Sequence, residues 1–401
     1  MSMRFRWLAG CVLITVAFLL SCGSSSNKGF IYLVSQGSQS VNAISLDLHS
    51  GELNSSNSAL VTTGDAAATG VQPTALILNP TQTLGFVANT GSNDITVLNI
   101  AKDGKVSAVG NTPLNAPAAR PVALAMDPSG KFLFVADQGD STQFSNCTPR
   151  DPAYPANCTA RISVFTVGGS GGLSEVDGSP FPLLTASQGF SFPSPVSLTA
   201  LTVANQGNYL YVTEQNNNIV VGFAFDPSSG VLTQLTSTPV VVGIVPSGIT
   251  SPATGDFLYV ANATSNNITG FSIDSTTGIL TTIPGSPFST GVSPISFATL
   301  VASDHNYVYT VNNQSSQVSG FSMNAVTGDL KPLTPPNVST GSLPVAATIR
   351  SDGEVAGDFW MIVSDTGSNS VSTFKLTTST GSLNALPQLV SPVDPYGIAS
   401  K

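Results

Sequence analysis

Charge is what this chain has least of. Asp, Glu, Lys and Arg make up 9% of its 401 residues, about a third of the usual share. Its 13 cations face 22 anions, for a net charge of −9. No basic cluster follows the first few residues, which argues against nucleic-acid binding by phosphate neutralisation. Histidine is nearly missing, with only His49 and His305. There is no phosphate-cradling glycine loop, no diagnostic carboxylate pair and no nucleophile elbow, so no cofactor is expected. Ser, Thr, Asn and Gly fill the space that charge leaves. Such a composition suits β-structure with many turns and not a helical bundle rich in Glu and Lys.

The four cysteines divide by position. Cys11 and Cys22 belong to "MSMRFRWLAGCVLITVAFLLSCGSSSN", in which Arg4 and Arg6 precede an apolar run from Trp7 to Leu20. That run is short for a membrane span and has the shape of a secretory signal. It ends in Leu19-Leu20-Ser21-Cys22, which resembles the bacterial lipobox. The resemblance implies a signal peptide over residues 1–21, diacylglycerol on Cys22 and a tether over 22–28. Gly23 in place of Asp implies the outer membrane where a cell has two. The other pair, Cys147 and Cys158, lies in "NCTPRDPAYPANC". An oxidising compartment favours their pairing as a disulfide, and the loop lacks the further soft or imidazole ligands that a metal site needs.

Beyond the leader the sequence repeats itself. Seven short apolar segments end in a small polar or acidic residue: Ser35, Asn89, Asp137, Glu214, Asn262, Asn312 and Asp365. A polar loop follows each, then an alternating segment such as "ITGFSI", whose period of two marks a strand with one buried face. Next comes a tight turn, as in "DSTTGIL" and "NAVTGDL", with Gly where the chain reverses at positive φ. Proline opens the next unit at Pro73, Pro121, Pro195, Pro246, Pro294 and Pro344. Proline is tolerated at the first position of a strand.

Each unit thus holds about four strands in roughly 50 residues, the make-up of a propeller blade. The first unit lacks its Pro-led strand, and the tail "DPYGIASK" supplies one. The expectation is an all-β, seven-bladed propeller over residues 29–401, built of four-stranded antiparallel blades and closed by the C-terminal strand completing blade one. The "YVAN…SNNITGFSID…TGIL" pattern resembles the YVTN-repeat and lactonase-like seven-bladed propellers, a group that includes 6-phosphogluconolactonase-like folds. Trp360 is the one tryptophan beyond the leader, which argues against tryptophan-docked blades.

The blade order places the second-to-third-strand loops and the blade linkers on one rim. Gln72, Arg120, Ser194, Ser293 and Asp394, each just before an opening proline, share it with the seven signature residues. Those signature side chains are expected chiefly to cap strand ends and satisfy loop N–H groups. Blade three carries two insertions on that rim, Gln138–Ala160 and "PLLTASQGFSFP". They bring Phe144, Tyr154, Phe190 and Phe192 beside Arg120, Arg150 and Arg161 as a candidate ligand or partner platform.

The resemblance implies that active members use His, Arg and Glu on this rim. Both histidines here fall in turns of the opposite rim. A carboxylate could stand in: Asp137, Glu214 or Asp365 as base, with Arg120 holding a substrate oxygen or phosphate. Asp137 and Asp140 in "DQGD" are too few for a calcium site by themselves. The leading expectation is an exported, lipid-anchored module, attached to the membrane through Cys22, that binds an envelope protein or glycan. The alternative is a lactonase-like hydrolase of a sugar lactone, resembling 6-phosphogluconolactonases.

Overall fold

The computed structural model describes residues 28–54, 67–114, 120–138, 160–183, 196–204, 207–302, 305–351, 358–391 and 394–401. The described residues form strands and turns arranged as seven antiparallel sheets. In blades two to seven the chain runs outward from the central channel. Blade two, for example, contains Pro73–Leu78, Leu84–Asn89, Asp94–Ile100 and Val106–Pro113 in that spatial order.

The ring closes as the sequence implies. Pro395–Ser400 is the innermost strand of blade one and pairs antiparallel with Lys28–Ser35, matching Tyr32 to Ala399. Phe30 and Lys401 exchange both backbone hydrogen bonds, at 3.0 and 2.8 Å. Closure also occurs away from this seam. The indole of Trp360 in blade seven donates to the Leu48 carbonyl of blade one at 3.2 Å.

Two details differ from the expected pattern. In blade four the innermost strand is Leu198–Ala204, and Leu198 pairs with Glu214 as Pro73 pairs with Asn89. Leucine therefore fills the place expected for Pro195, which lies outside the described residues together with Ser194. The outermost strand is also broken into two short pieces in blades one, three, four, five and seven. A hydroxyl repairs the break in three of them. Val164 N–H donates to Ser179 Oγ, Gly222 N–H to Thr238 Oγ1 and Gly270 N–H to Ser286 Oγ, at 2.9–3.2 Å. A side-chain acceptor thus replaces the missing ladder carbonyl.

The echoed turns explain how neighbouring blades pack. Tyr211, Tyr259 and Tyr309 are fully buried on second strands. Each donates its hydroxyl to a turn glycine of the following blade, namely the carbonyls of Gly278, Gly328 and Gly381, at 2.6–2.7 Å. Those glycines adopt φ near +70°, and a Cβ on Gly278 would stand 2.7 Å from the Tyr209 ring. Glycine is required there by both conformation and contact. The turn satisfies the polar end of a large aromatic while its rim stays solvated.

Candidate functional site

Two kinds of position share the rim formed by second-to-third-strand loops and blade linkers, here the loop rim. The first is the signature residue at the end of each second strand. Asn89 donates to Asp94 Oδ1 and Thr96 Oγ1 at 2.6 and 2.8 Å, and Asn312 donates to Ser319 Oγ at 2.7 Å. The same third-strand hydroxyls accept linker N–H groups, Gly70 to Thr96 and Gly291 to Ser319, at 3.3 and 3.1 Å. Second strand, third strand and incoming linker are thus locked by one buried knot.

The three candidate bases occupy these knots. Asp137 is 2% exposed and accepts Ser163 Oγ–H at 2.6 Å. Burial pushes its pKa up to about 7, against the downward pull of the Ser163 hydrogen bond and the Arg161 guanidinium. Asp365 is fully buried and accepts Ser372 Oγ–H at 2.7 Å. Burial raises its pKa to about 6. A Cβ on linker residue Gly341 would stand 2.7 Å from the Asp365 carboxyl, so the linker lies directly over that group.

Glu214 goes furthest. Its Oε1 accepts Ser197 N–H at 2.7 Å and Asn216 N–H at 3.0 Å, while Oε2 accepts Asn217 N–H and Nδ2–H, both at 2.8 Å. A carboxylate that satisfies three backbone donors in its own loop and linker has no lone pair aimed at a substrate. The structure therefore separates the three carboxylates, one to a blade, within the protein wall.

The second kind of position faces the channel. Every innermost strand has a register shift at its second residue, as between Pro73 and Ala75 or between Pro246 and Gly248. Such bulges re-aim side chains. The extra residues serve as staples between blades. Thr199 Oγ1 donates to the Pro246 carbonyl at 2.9 Å, and Ser247 Oγ to the Pro294 carbonyl at 2.8 Å. Where that position is aliphatic, a loop-rim residue makes the bond instead. Gln138 Nε2 reaches Leu198 O, and Asn313 Nδ2 reaches Pro344 O, both at 2.9 Å. Sequence reading missed these staples, although Thr or Ser following a strand-opening Pro was a legible signal.

The channel itself has a volume of about 570 Å³, and the described residues lining it are uncharged. Gln138, Thr199 and Ser247 border it with their polar atoms committed to the staples. Arg120 stands at the entrance to blade three, where its carbonyl accepts Gln138 N–H at 3.0 Å. Arg161 begins the third strand of that blade, opposite Asp137, and burial lowers its pKa.

The remaining platform residues, Phe144, Arg150, Tyr154, Phe190 and Phe192, lie outside the described residues. So do Cys147, Cys158, Cys22 and Asp140. The flanks of the two insertions do meet: Leu183 N–H donates to Ala160 O at 3.2 Å. Among the described residues no three metal-ligating side chains cluster. His49 sits in the Asp47 turn, its N–H bound to Asp47 Oδ1 at 2.9 Å. His305 stacks on Tyr307 with ring centroids 6.1 Å apart. Both are on the opposite, turn rim.

Comparison with known families gives one match, to the model described as "Lactonase, 7-bladed beta-propeller", over residues 24–146 and 160–297. The chain belongs to this lactonase family. No curated protein matches its sequence. Among solved structures, this lactonase-family chain resembles a periplasmic gluconolactonase of Pseudomonas aeruginosa at a TM-score of 0.72 and 16% identity, covering 93% of this chain and 99% of that one. A putative 6-phosphogluconolactonase of Bacteroides fragilis aligns at 0.71 and 16%, covering 94% and 99%. A protein from Lactobacillus plantarum aligns at 0.68 and 14%, covering 93% and 99%. At such identities the likeness concerns the fold.

Proposed function

We propose that this lactonase-family propeller is an exported binding module, held at the cell envelope by lipid on Cys22, that engages a protein or glycan through its loop rim. One observation carries the reading. Every carboxylate proposed as a base is held inside the blade: Glu214 accepts four hydrogen bonds from its own loop and linker, and Asp137 and Asp365 are buried, each with one oxygen on a serine hydroxyl and the other enclosed without a partner. A general base must reach the proton it removes, and these groups face the protein.

The rival reading is hydrolysis of a sugar lactone. Family membership and the named gluconolactonase neighbour favour it, as does a cation, Arg120, just before the strand that opens blade three. One assay separates the two. Protein lacking residues 1–22 is offered D-glucono-δ-lactone at constant pH while acid release is followed. The binding reading expects the rate of buffer alone. Catalysed hydrolysis that disappears in Arg120→Ala or Glu214→Gln, with the fold intact, would establish the lactonase. The anchor has its own test, in which Cys22→Ala releases the protein from membranes.

A further inference from the structure

We propose that the central channel is a binding site for an uncharged small molecule bearing an alkyl or aryl group and one hydrogen-bonding oxygen. The inference goes beyond the rim reading and stands whether the rim binds or hydrolyses. The channel wall is built by the second, third and fourth residues of each innermost strand, and the fourth places are the most apolar. Leu76, Leu124, Leu201, Ile249, Phe297 and Ile398 supply six of those seven places. These apolar side chains form a belt below the stapled mouth. The seventh place is Ala347, which leaves the belt locally open on the blade-seven side.

Charge decides what such a belt accepts. With no charged residue among the described lining residues, a phosphate or carboxylate entering it would lose its hydration without gaining a counter-charge there. An apolar group gains instead, by about 25 cal/mol for each Å² withdrawn from water. The volume of about 570 Å³ lies within the range of small-molecule sites. Leu76 and Ile398 also border a second cavity of about 390 Å³ beside Thr348 and Ser400, so an alkyl chain can extend toward the turn rim.

The Tyr396 phenol remains to orient the ligand. Tyr396 lines the channel, is 37% exposed, and its phenol makes no hydrogen bond among the described residues. Other wall hydroxyls, such as Thr199 and Ser247, are used in staples. One carbonyl or hydroxyl on an otherwise apolar molecule matches this supply. The closing C-terminal strand therefore both completes blade one and brings Tyr396 into the site.

The test is isothermal titration of residues 23–401, which hold every described blade, with δ-undecalactone, an uncharged alkyl lactone. 6-Phosphogluconate serves as the anionic comparison. We expect one lactone site and at least ten-fold weaker binding of the phosphate. Ala347→Trp should fill the opening and weaken the lactone at least ten-fold. Tyr396→Phe removes one oxygen from a part-exposed ring, so it keeps the fold even if the tryptophan variant does not. It should weaken the lactone about three- to ten-fold with an unchanged melting temperature. The proposal is overturned if the lactone does not bind, if 6-phosphogluconate binds as tightly, or if Tyr396→Phe leaves lactone affinity unchanged. Lactone turnover without these effects would touch the rim reading and leave the channel unsupported.

Discussion

The two rims treat the same residue type in opposite ways. On the turn rim Asp226 is solvated, and hydrogen bonds from the Ser229 and Ser228 hydroxyls hold its pKa near 2. Asp274 is lowered in the same manner, chiefly by Thr277. On the loop rim, burial lifts Asp137 to about 7 and Asp365 to about 6. In blades four, five and six the turn rim repeats one solution, with a tyrosine hydroxyl on the next blade's glycine carbonyl. The loop rim varies its signature residue among Ser, Asn, Asp and Glu and carries both insertions. Repetition marks where blades must mesh, and variation marks where the surface is free to specialise.

Breaking the seam should have the largest effect. Deleting residues 395–401 removes the innermost strand of blade one and exposes the edge of Lys28–Ser35, so the cooperative thermal transition should be lost. Next comes the turn rim. Gly328→Val forces a β-branched residue into φ +70° against Phe257. Backbone strain and overpacking together should cost about 3 kcal/mol, read as a lowered urea midpoint. By contrast, Tyr259→Phe deletes only the hydroxyl that serves Gly328, for about 1 kcal/mol.

The loop rim should respond to pH in the opposite sense from ordinary surface carboxylates. Folded Asp137 titrates near 7 and unfolded Asp near 4, so between these values the folded state binds more protons. Stability therefore falls as pH rises through that window. Asparagine already does this job at Asn89, Asn262 and Asn312. Asp137→Asn should therefore flatten the decline and raise stability at pH 8 by on the order of 1–3 kcal/mol. Thermal melts from pH 5 to 8 check this. The smallest effect belongs to His49→Ala on the exposed turn, within about 0.5 kcal/mol, with no change in any lactone reaction.

Most of the architecture was legible because it is periodic. The glycine turns, the strand-opening prolines and the incomplete first unit each state a backbone requirement that side chains elsewhere cannot alter. Blade four shows the limit. Pro195 carried the expected signal, yet Leu198 takes the position opposite Glu214. The site was less legible. Asp137, Glu214 and Asp365 each end a second strand, but spacing along a strand does not tell whether a carboxylate faces solvent or its own loop. That depends on partners far along the chain, such as Ser163 for Asp137 and Ser197 for Glu214. The neutral channel went unseen for the same reason, since its belt draws one residue from each of seven blades.

The melting temperature of Glu214→Ala against wild type at pH 7 tests most directly whether the signature residues are structural. Losing a carboxylate that holds three backbone N–H groups should cost about 2–3 kcal/mol and lower the transition by several degrees. An unchanged or raised melting temperature, the behaviour of a group kept for function at a cost in stability, would contradict this account.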